Sequence, residues 1–130
     1  MTGATSAITP TGTVMASAVA AYTITVGGTM YTDTLSAGQT SYIRVSLNAG
    51  TTYKISWDDN DNKPSSGYAD IKVGLNRESD SSTAQAIVDN SNTNYFTYTV
   101  QSGASGNYLI AVQGYSSSSS GTYAVGCAIN

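Results

Sequence analysis

Residues 53–75 read YKISWDDNDNKPSSGYADIKVGL. Tyr53, Ile55 and Trp57 alternate with Lys54 and Ser56, and Ile71, Val73 and Leu75 alternate with Lys72 and Gly74. Because successive side chains of a strand point to opposite faces, an apolar period of two marks a half-buried strand. The stretch is therefore a strand, an acidic and amide-rich loop, and a second strand led by Asp70.

The same period recurs on both sides. Upstream, Tyr22, Ile24 and Val26 alternate with threonines until Gly27-Gly28, a less regular segment follows at Met30–Leu35, and Ile43, Val45 and Leu47 alternate after a turn at Ser36–Gln39. Downstream come a short segment at Gln85–Val88, an Asn-rich turn at Asp89–Asn94, and three further runs. Those runs are Phe96, Tyr98 and Val100; Tyr108, Ile110 and Val112; and Tyr123, Val125, Cys127 and Ile129. β-Branched residues and tyrosine fill the periodic positions, and no run carries the apolar spacing of a helix. The expected fold is all-β, an antiparallel β-sandwich of jelly-roll type with about eight strands. Residues 22–130 form that domain, and residues 1–21, rich in Thr, Ala, Ser and Gly, read as a tail or linker whose part from 13 to 21 alternates like an edge strand.

Composition bounds the function. Only 10% of the 130 residues are charged and the net charge is −3, with the five basic residues scattered, so neither nucleic acid nor an anionic membrane surface is the expected partner. Histidine is absent and Cys127 is the single cysteine, which removes Ser-His and Cys-His nucleophile pairs and the usual zinc sites. Cys127 shares parity with Tyr123, Val125 and Ile129 and reads as a buried, inert thiol. No stretch reaches the ~20 apolar residues that span a bilayer, and Ala16–Ala21 is too short and lacks the basic flank of a signal peptide.

The order of several short motifs resembles the bacterial pre-peptidase C-terminal domain. These are Thr34-Leu35-Ser36 followed by Ser41–Val45, then Asn48–Tyr53, Gly67–Val73, Ser105–Val112 and Gly121–Tyr123. The resemblance covers about residues 30–128. It implies a secreted β-sandwich appended to peptidases or polysaccharide-degrading enzymes, with a calcium site near the acidic residue before the central strand. Carried onto this chain, that site falls on Asp70 and on Asp58, Asp59 and Asp61. The loop at 58–68, long and Pro-containing, departs from the family pattern.

The residues themselves support a cation here, since calcium takes six to eight oxygens from carboxylates, amides and carbonyls. An EF-hand does not fit, because Lys63 and Pro64 stand where a ligand and a glycine belong. The plainer alternative is a solvated turn rich in Asp and Asn. Paired carboxylates serve glycoside cleavage only at defined separations, and acids crowded into one loop favour a cation over a tuned acid and base.

A polysaccharide-binding surface needs aromatic faces and a few polar side chains. Of the ten tyrosines, Tyr53, Tyr98, Tyr108 and Tyr123 share parity with aliphatic residues and read as core, as does Trp57, whereas Tyr42, Tyr68, Tyr95 and Tyr115 fall out of phase or in loops. These four are the candidate sugar contacts. The expected function is that of a non-catalytic, secreted binding module that recognises polysaccharide and carries a structural calcium. The alternative is a self-associating extracellular adhesin or filament subunit that uses the arm at 13–21 for strand addition.

Overall fold

The computed structural model describes residues 20–90 and 92–130. The tail at 1–12, and the arm up to residue 19, lie outside the described residues. Nine strands follow in order: β1 (Tyr22–Ile24), β2 (Tyr31–Leu35), β3 (Thr40–Leu47), β4 (Thr52–Asp58), β5 (Ile71–Arg77), β6 (Thr83–Val88), β7 (Tyr95–Thr99), β8 (Gly106–Gly114) and β9 (Gly121–Ile129). One sheet has the order β1-β3-β8-β5-β6 and the other β2-β9-β4-β7. From β2 onward the chain alternates between the sheets except at the β5–β6 hairpin, which gives the strand order of a jelly roll.

The period-two pattern explains the layering. In β3 the residues Ile43, Val45 and Leu47 are buried while Tyr42 and Arg44 are half-buried, and β4 shows the same alternation. Ile71, Val73 and Leu75 from β5 and Tyr108, Ile110 and Val112 from β8 face Tyr53, Ile55, Trp57, Tyr123 and Val125 across the sandwich, all at most 2% exposed. Full burial of one such aliphatic side chain contributes roughly 1.5–3 kcal/mol. Two of the buried tyrosines satisfy their polar ends, the Tyr108 hydroxyl donating to the carbonyl of Ala104 at 2.8 Å and that of Tyr53 accepting from the Asn48 N–H at 2.9 Å, whereas the Tyr123 hydroxyl is buried without a partner among the described residues.

Two features depart from a uniform antiparallel sandwich. β1 runs parallel to β3, with Tyr22 opposite Ile43 and Ile24 opposite Val45, and Ala21 N–H donates to the Tyr42 carbonyl at 2.7 Å. β6 shifts register against β5 between the pairs Val73–Val88 and Leu75–Gln85, which bulges the edge strand. A bulge of this kind blunts an edge against pairing with other chains. At the other end of that sheet, Arg44 ties β3 to the residue after β5 by a two-pronged contact with Glu78, Nε to Oε1 at 2.8 Å and Nη2 to Oε2 at 2.6 Å.

Candidate functional site

β4 continues its alternation past its last pair. Trp57 points inward, Asp58 outward and Asp59 inward again, so a carboxylate is carried into the top of the core, where Asp59 is 0% exposed. A buried carboxylate is costly unless it accepts hydrogen bonds. Asp59 receives three: from Asp61 N–H at 3.0 Å and Asn94 Nδ2 at 2.9 Å on Oδ1, and from Ile71 N–H at 3.3 Å on Oδ2. Asn94, itself buried in the turn before β7, also donates to the Trp57 carbonyl at 3.2 Å and to Asn62 Oδ1 at 3.2 Å. Its φ of 55° lies in the left-handed region that asparagine tolerates better than most residues.

Around this knot the chain gathers four carboxylates. Single oxygens of Asp59, Asp61, Asp70 and Asp89 all lie within 4.8 Å of one another. Oxygens bound to one calcium at roughly 2.3–2.6 Å stand no more than about twice that distance apart, so the spacing suits a shared hard cation. Asp70 Oδ1 is buried without a hydrogen-bond partner among the described residues, a lone acceptor that a cation would satisfy. The two ion pairs among the described residues, Arg44–Glu78 and Arg77–Asp80, leave these four acids without a basic partner. Burial pushes the carboxyl of Asp70 up, with the charges of Asp61, Asp89 and Asp59 adding to it, and burial followed by the charges of Asp59 and Asp89 does the same for Asp61.

Three of the four acids expected from the sequence thus converge. Asp58 stands apart, its Oδ1 accepting from Asn62 Nδ2 at 2.8 Å. Asp89 takes the fourth place. It follows β6 directly, and the antiparallel β5–β6 pairing returns it to the end of the sheet where Asp70 leads into β5. Nothing in the local sequence of the Asp89–Asn94 turn sets it apart from an ordinary polar turn.

The candidate sugar-contacting tyrosines divide between surfaces. Tyr42 lies on the outer face of the five-stranded sheet, opposite Ala111, and is half-buried, which pushes its hydroxyl up. Tyr115 is 54% exposed beyond the end of β8, and its N–H donates to the Asp70 carbonyl at 2.8 Å. Between them the row Thr40–Gln113–Lys72 crosses the same face, and Lys72 Nζ stands 6.0 Å from the Tyr115 ring centre. A shallow cleft of about 310 Å³ opens there, bordered by Gln39, Gln113, Tyr115 and Ser117. Tyr95 belongs to the opposite sheet, half-buried under Lys54 Nζ at 4.3 Å, and Tyr68 is half-buried in an isolated bridge to Thr122. Neither shares the face of Tyr42 and Tyr115.

A second aromatic pair escaped the sequence reading. Tyr22 and Tyr31 stack with ring centres 4.7 Å apart and planes 8° from parallel. Strand parity with Ile24 and Val26 masks Tyr22 and the irregularity of Met30–Leu35 masks Tyr31, and among the described residues β1 and β2 are edge strands whose inward positions open onto the flank of the sandwich.

The fold is similar to those of three solved structures. They are the periplasmic lysozyme inhibitor PliG of Aeromonas hydrophila, an inhibitor of g-type lysozyme (TM-score 0.56, 18% identity, 81% of this chain and 95% of that one); the pre-peptidase C-terminal domain of a collagenase from Bacillus anthracis (0.56, 19%, 84% and 96%); and PliG of Salmonella Typhimurium (0.52, 16%, 83% and 98%). No family model matches the chain, and no curated protein sequence does. At these identities the likeness is one of fold. It agrees with the resemblance to the pre-peptidase C-terminal domain drawn from the order of the sequence motifs.

Proposed function

We propose that this domain is a non-catalytic, secreted binding module that recognises polysaccharide on the outer face of its five-stranded sheet and is held together at one end by a calcium ion. The observation that carries the reading is the cross-strand neighbourhood of Tyr115 and Asp70, where the N–H of Tyr115 meets the Asp70 carbonyl at 2.8 Å. It sets an exposed ring, the amide of Gln113 and the ammonium of Lys72 beside the acidic cluster. Rings supply flat apolar contact and the polar side chains supply hydrogen bonds to hydroxyl groups, the mixture that small-ligand sites use. Asp59, Asp61, Asp70 and Asp89 would hold the ion, whose part is to neutralise charge and fix the loop. Similarity in fold to a collagenase accessory domain and to periplasmic inhibitor proteins supports a non-enzymatic module working outside the cytoplasm.

Affinity electrophoresis of the whole chain through gels containing xylan, galactomannan or hydroxyethyl cellulose tests the reading. Retardation by one of these polymers, lost in Tyr42→Ala or Tyr115→Ala and weakened by chelator, is the expected result. Unretarded migration in all of them removes polysaccharide as the partner.

A second reading, a self-associating extracellular subunit, draws on the parallel pairing of β1. A three-residue strand laid parallel along the eight-residue β3 is the geometry of an added arm, and among the described residues β2 and β7 are the edge strands of the other sheet. Size-exclusion chromatography of the intact chain against one lacking residues 1–21 separates the two, since only the self-associating subunit loses its oligomer on truncation.

A further inference from the structure

We infer that the flank of the sandwich between β1 and β2 is a second saccharide site, in which the Tyr22–Tyr31 stack is the platform for a pyranose ring of a neutral polysaccharide; the inference rests on the polysaccharide-binding reading above. Tyr22 is in register with Ile43 and Tyr31 with Val125, both core residues, so the two rings project from the inner faces of opposite sheets and meet where the sandwich opens. Core packing does not account for the outer ring. Tyr31 covers one face of Tyr22, yet Tyr22 remains 54% exposed, which leaves its other face to solvent.

The platform is held rigid from behind. The Tyr31 hydroxyl donates to Asp33 Oδ2 at 2.6 Å, and Asp33 Oδ1 is fixed by the Thr34 N–H at 2.7 Å. That bond to a carboxylate, with burial adding to it, pushes the Tyr31 hydroxyl up to about 12, so the ring stays neutral and its proton is committed to Asp33. A ring ordered in advance loses little conformational freedom when a ligand stacks on it.

The groove beside the stack is about 550 Å³, within the range of roughly 300–1,000 Å³ typical of small-ligand sites. None of the described residues that line it is charged. A charged ligand would lose hydration there with nothing to replace it, which selects a neutral one. Threonines at 23, 25, 29 and 32 bring hydroxyl groups to its walls. Thr23 Oγ1 accepts from Arg44 Nη1 at 3.4 Å, while among the described residues the hydroxyls of Thr25, Thr29 and Thr32 make no hydrogen bond, and these are the groups that a partner rich in hydroxyls would meet. Aromatic faces, threonine hydroxyls and a lining without charge among the described residues together describe a neutral sugar.

Amide-resolved NMR titration of the full chain with cellohexaose, xylohexaose and mannohexaose, and with tetragalacturonate as the charged counterpart, tests the site. Shift changes confined to residues 22–32 for at least one neutral oligosaccharide are expected, with affinity lowered roughly tenfold or more in Tyr22→Ala, as for a residue at the centre of a contact. Tyr22→Phe, which keeps the ring, retains the affinity, and matched melting curves for the two variants separate lost binding from lost folding. Shifts confined to residues 40–42 and 113–117 would overturn the flank site and leave the sheet-face reading standing. Absence of shifts with every sugar would overturn both, and equal binding of tetragalacturonate at residues 22–32 would overturn the selection for neutral ligands.

Discussion

Asn94 Nδ2 donates to Oδ1 of the fully buried Asp59 at 2.9 Å, joining the turn before β7 to the loop after β4 at a point where both residues are buried. Removing a buried acceptor leaves the N–H donors it served unsatisfied, and for the three donors of Asp59, at ~1–3 kcal/mol for each, the combined cost is about 3 kcal/mol or more. Asp59→Ala is therefore expected to lower stability by about that amount and the melting temperature by on the order of ten degrees or more. Asn94→Ala should lose less, about 1–3 kcal/mol, because Asp59 keeps its two backbone donors. Denaturant melts of the two variants check this, and an equal loss in both would show that the backbone donors contribute little.

Asp70 and Asp61 give a pH signature with a definite sign. Each carboxyl titrates higher in the folded chain than its ordinary 3.8, so the folded state binds more protons through that window. Without metal, their contribution to stability falls as pH rises from about 3.8 through the raised folded values, and the full penalty persists above them. Glu78 runs the other way, since its bonds to Arg44 hold its carboxyl low and add stability that is lost as pH falls through the folded value. The Asp70 share is isolated by the difference between wild type and Asp70→Asn. At neutral pH without metal, Asp70→Asn is expected to melt a few degrees above wild type. Calcium at a hundredfold excess over Kd should stabilise wild type by about 2.7 kcal/mol and reverse the order. Overlapping melts of both proteins with calcium and with chelator would remove the cation site.

The layers of the fold were legible because strand parity is a local signal: Ile43, Val45, Trp57, Ile110 and Val125 announce their inward position through their immediate neighbours, and each is at most 2% exposed. The same parity carries Asp59 inward behind Trp57, a sign of burial present in the sequence. Asp89 was not legible. Its approach to Asp70 depends on the register of β6 against β5, which the bulge shifts, and a bulge leaves no clear mark in a run such as Thr83–Val88. Tyr22 was not legible for the opposite reason: it shares parity with Ile24 and Val26, but whether an inward position is core or open flank depends on which strands are edges, a property of the whole topology, and Tyr31 lies in Met30–Leu35, where the alternation is too irregular to place a side chain.

Cys127 is 4% exposed on β9, and burial pushes its thiol up to about 11. The thiolate is the reactive form, so at neutral pH the native chain is expected to resist thiol reagents. Labelling should instead follow opening of the sandwich and accelerate in step with denaturant. A labelling rate in buffer close to that of a free thiol would place the sulfur at the surface and displace β9 from its register opposite Ile55.

Gly121 lets the loop carrying Tyr68 and Ala69 dock against the start of β9. Its φ is +133°, and a Cβ there would come within 2.5 Å of the Gly67 carbonyl and 3.0 Å of the Ala69 nitrogen, both backbone atoms. Thr122 binds the same two residues, its N–H donating to the Gly67 carbonyl at 3.0 Å and its carbonyl accepting from Ala69 N–H at 2.8 Å. The Ala69 carbonyl in turn receives the N–H of Asn60 at 2.9 Å, so displacing this segment moves both limbs of the acidic loop. Gly121→Ala is expected to cost on the order of 2–4 kcal/mol and to weaken the response to calcium as well. Gly28→Ala is the control. There a Cβ would meet Thr25 Oγ1 at 2.7 Å and the Thr25 carbonyl oxygen at 3.3 Å, and the clash falls in the connection between β1 and β2, away from Asp59, Asp61, Asp70 and Asp89. It should lower stability while the calcium-induced shift in melting temperature stays near that of wild type. If the two variants lose the calcium response equally, the coupling between β9 and the acidic loop is not specific, and general loosening of the sandwich accounts for both.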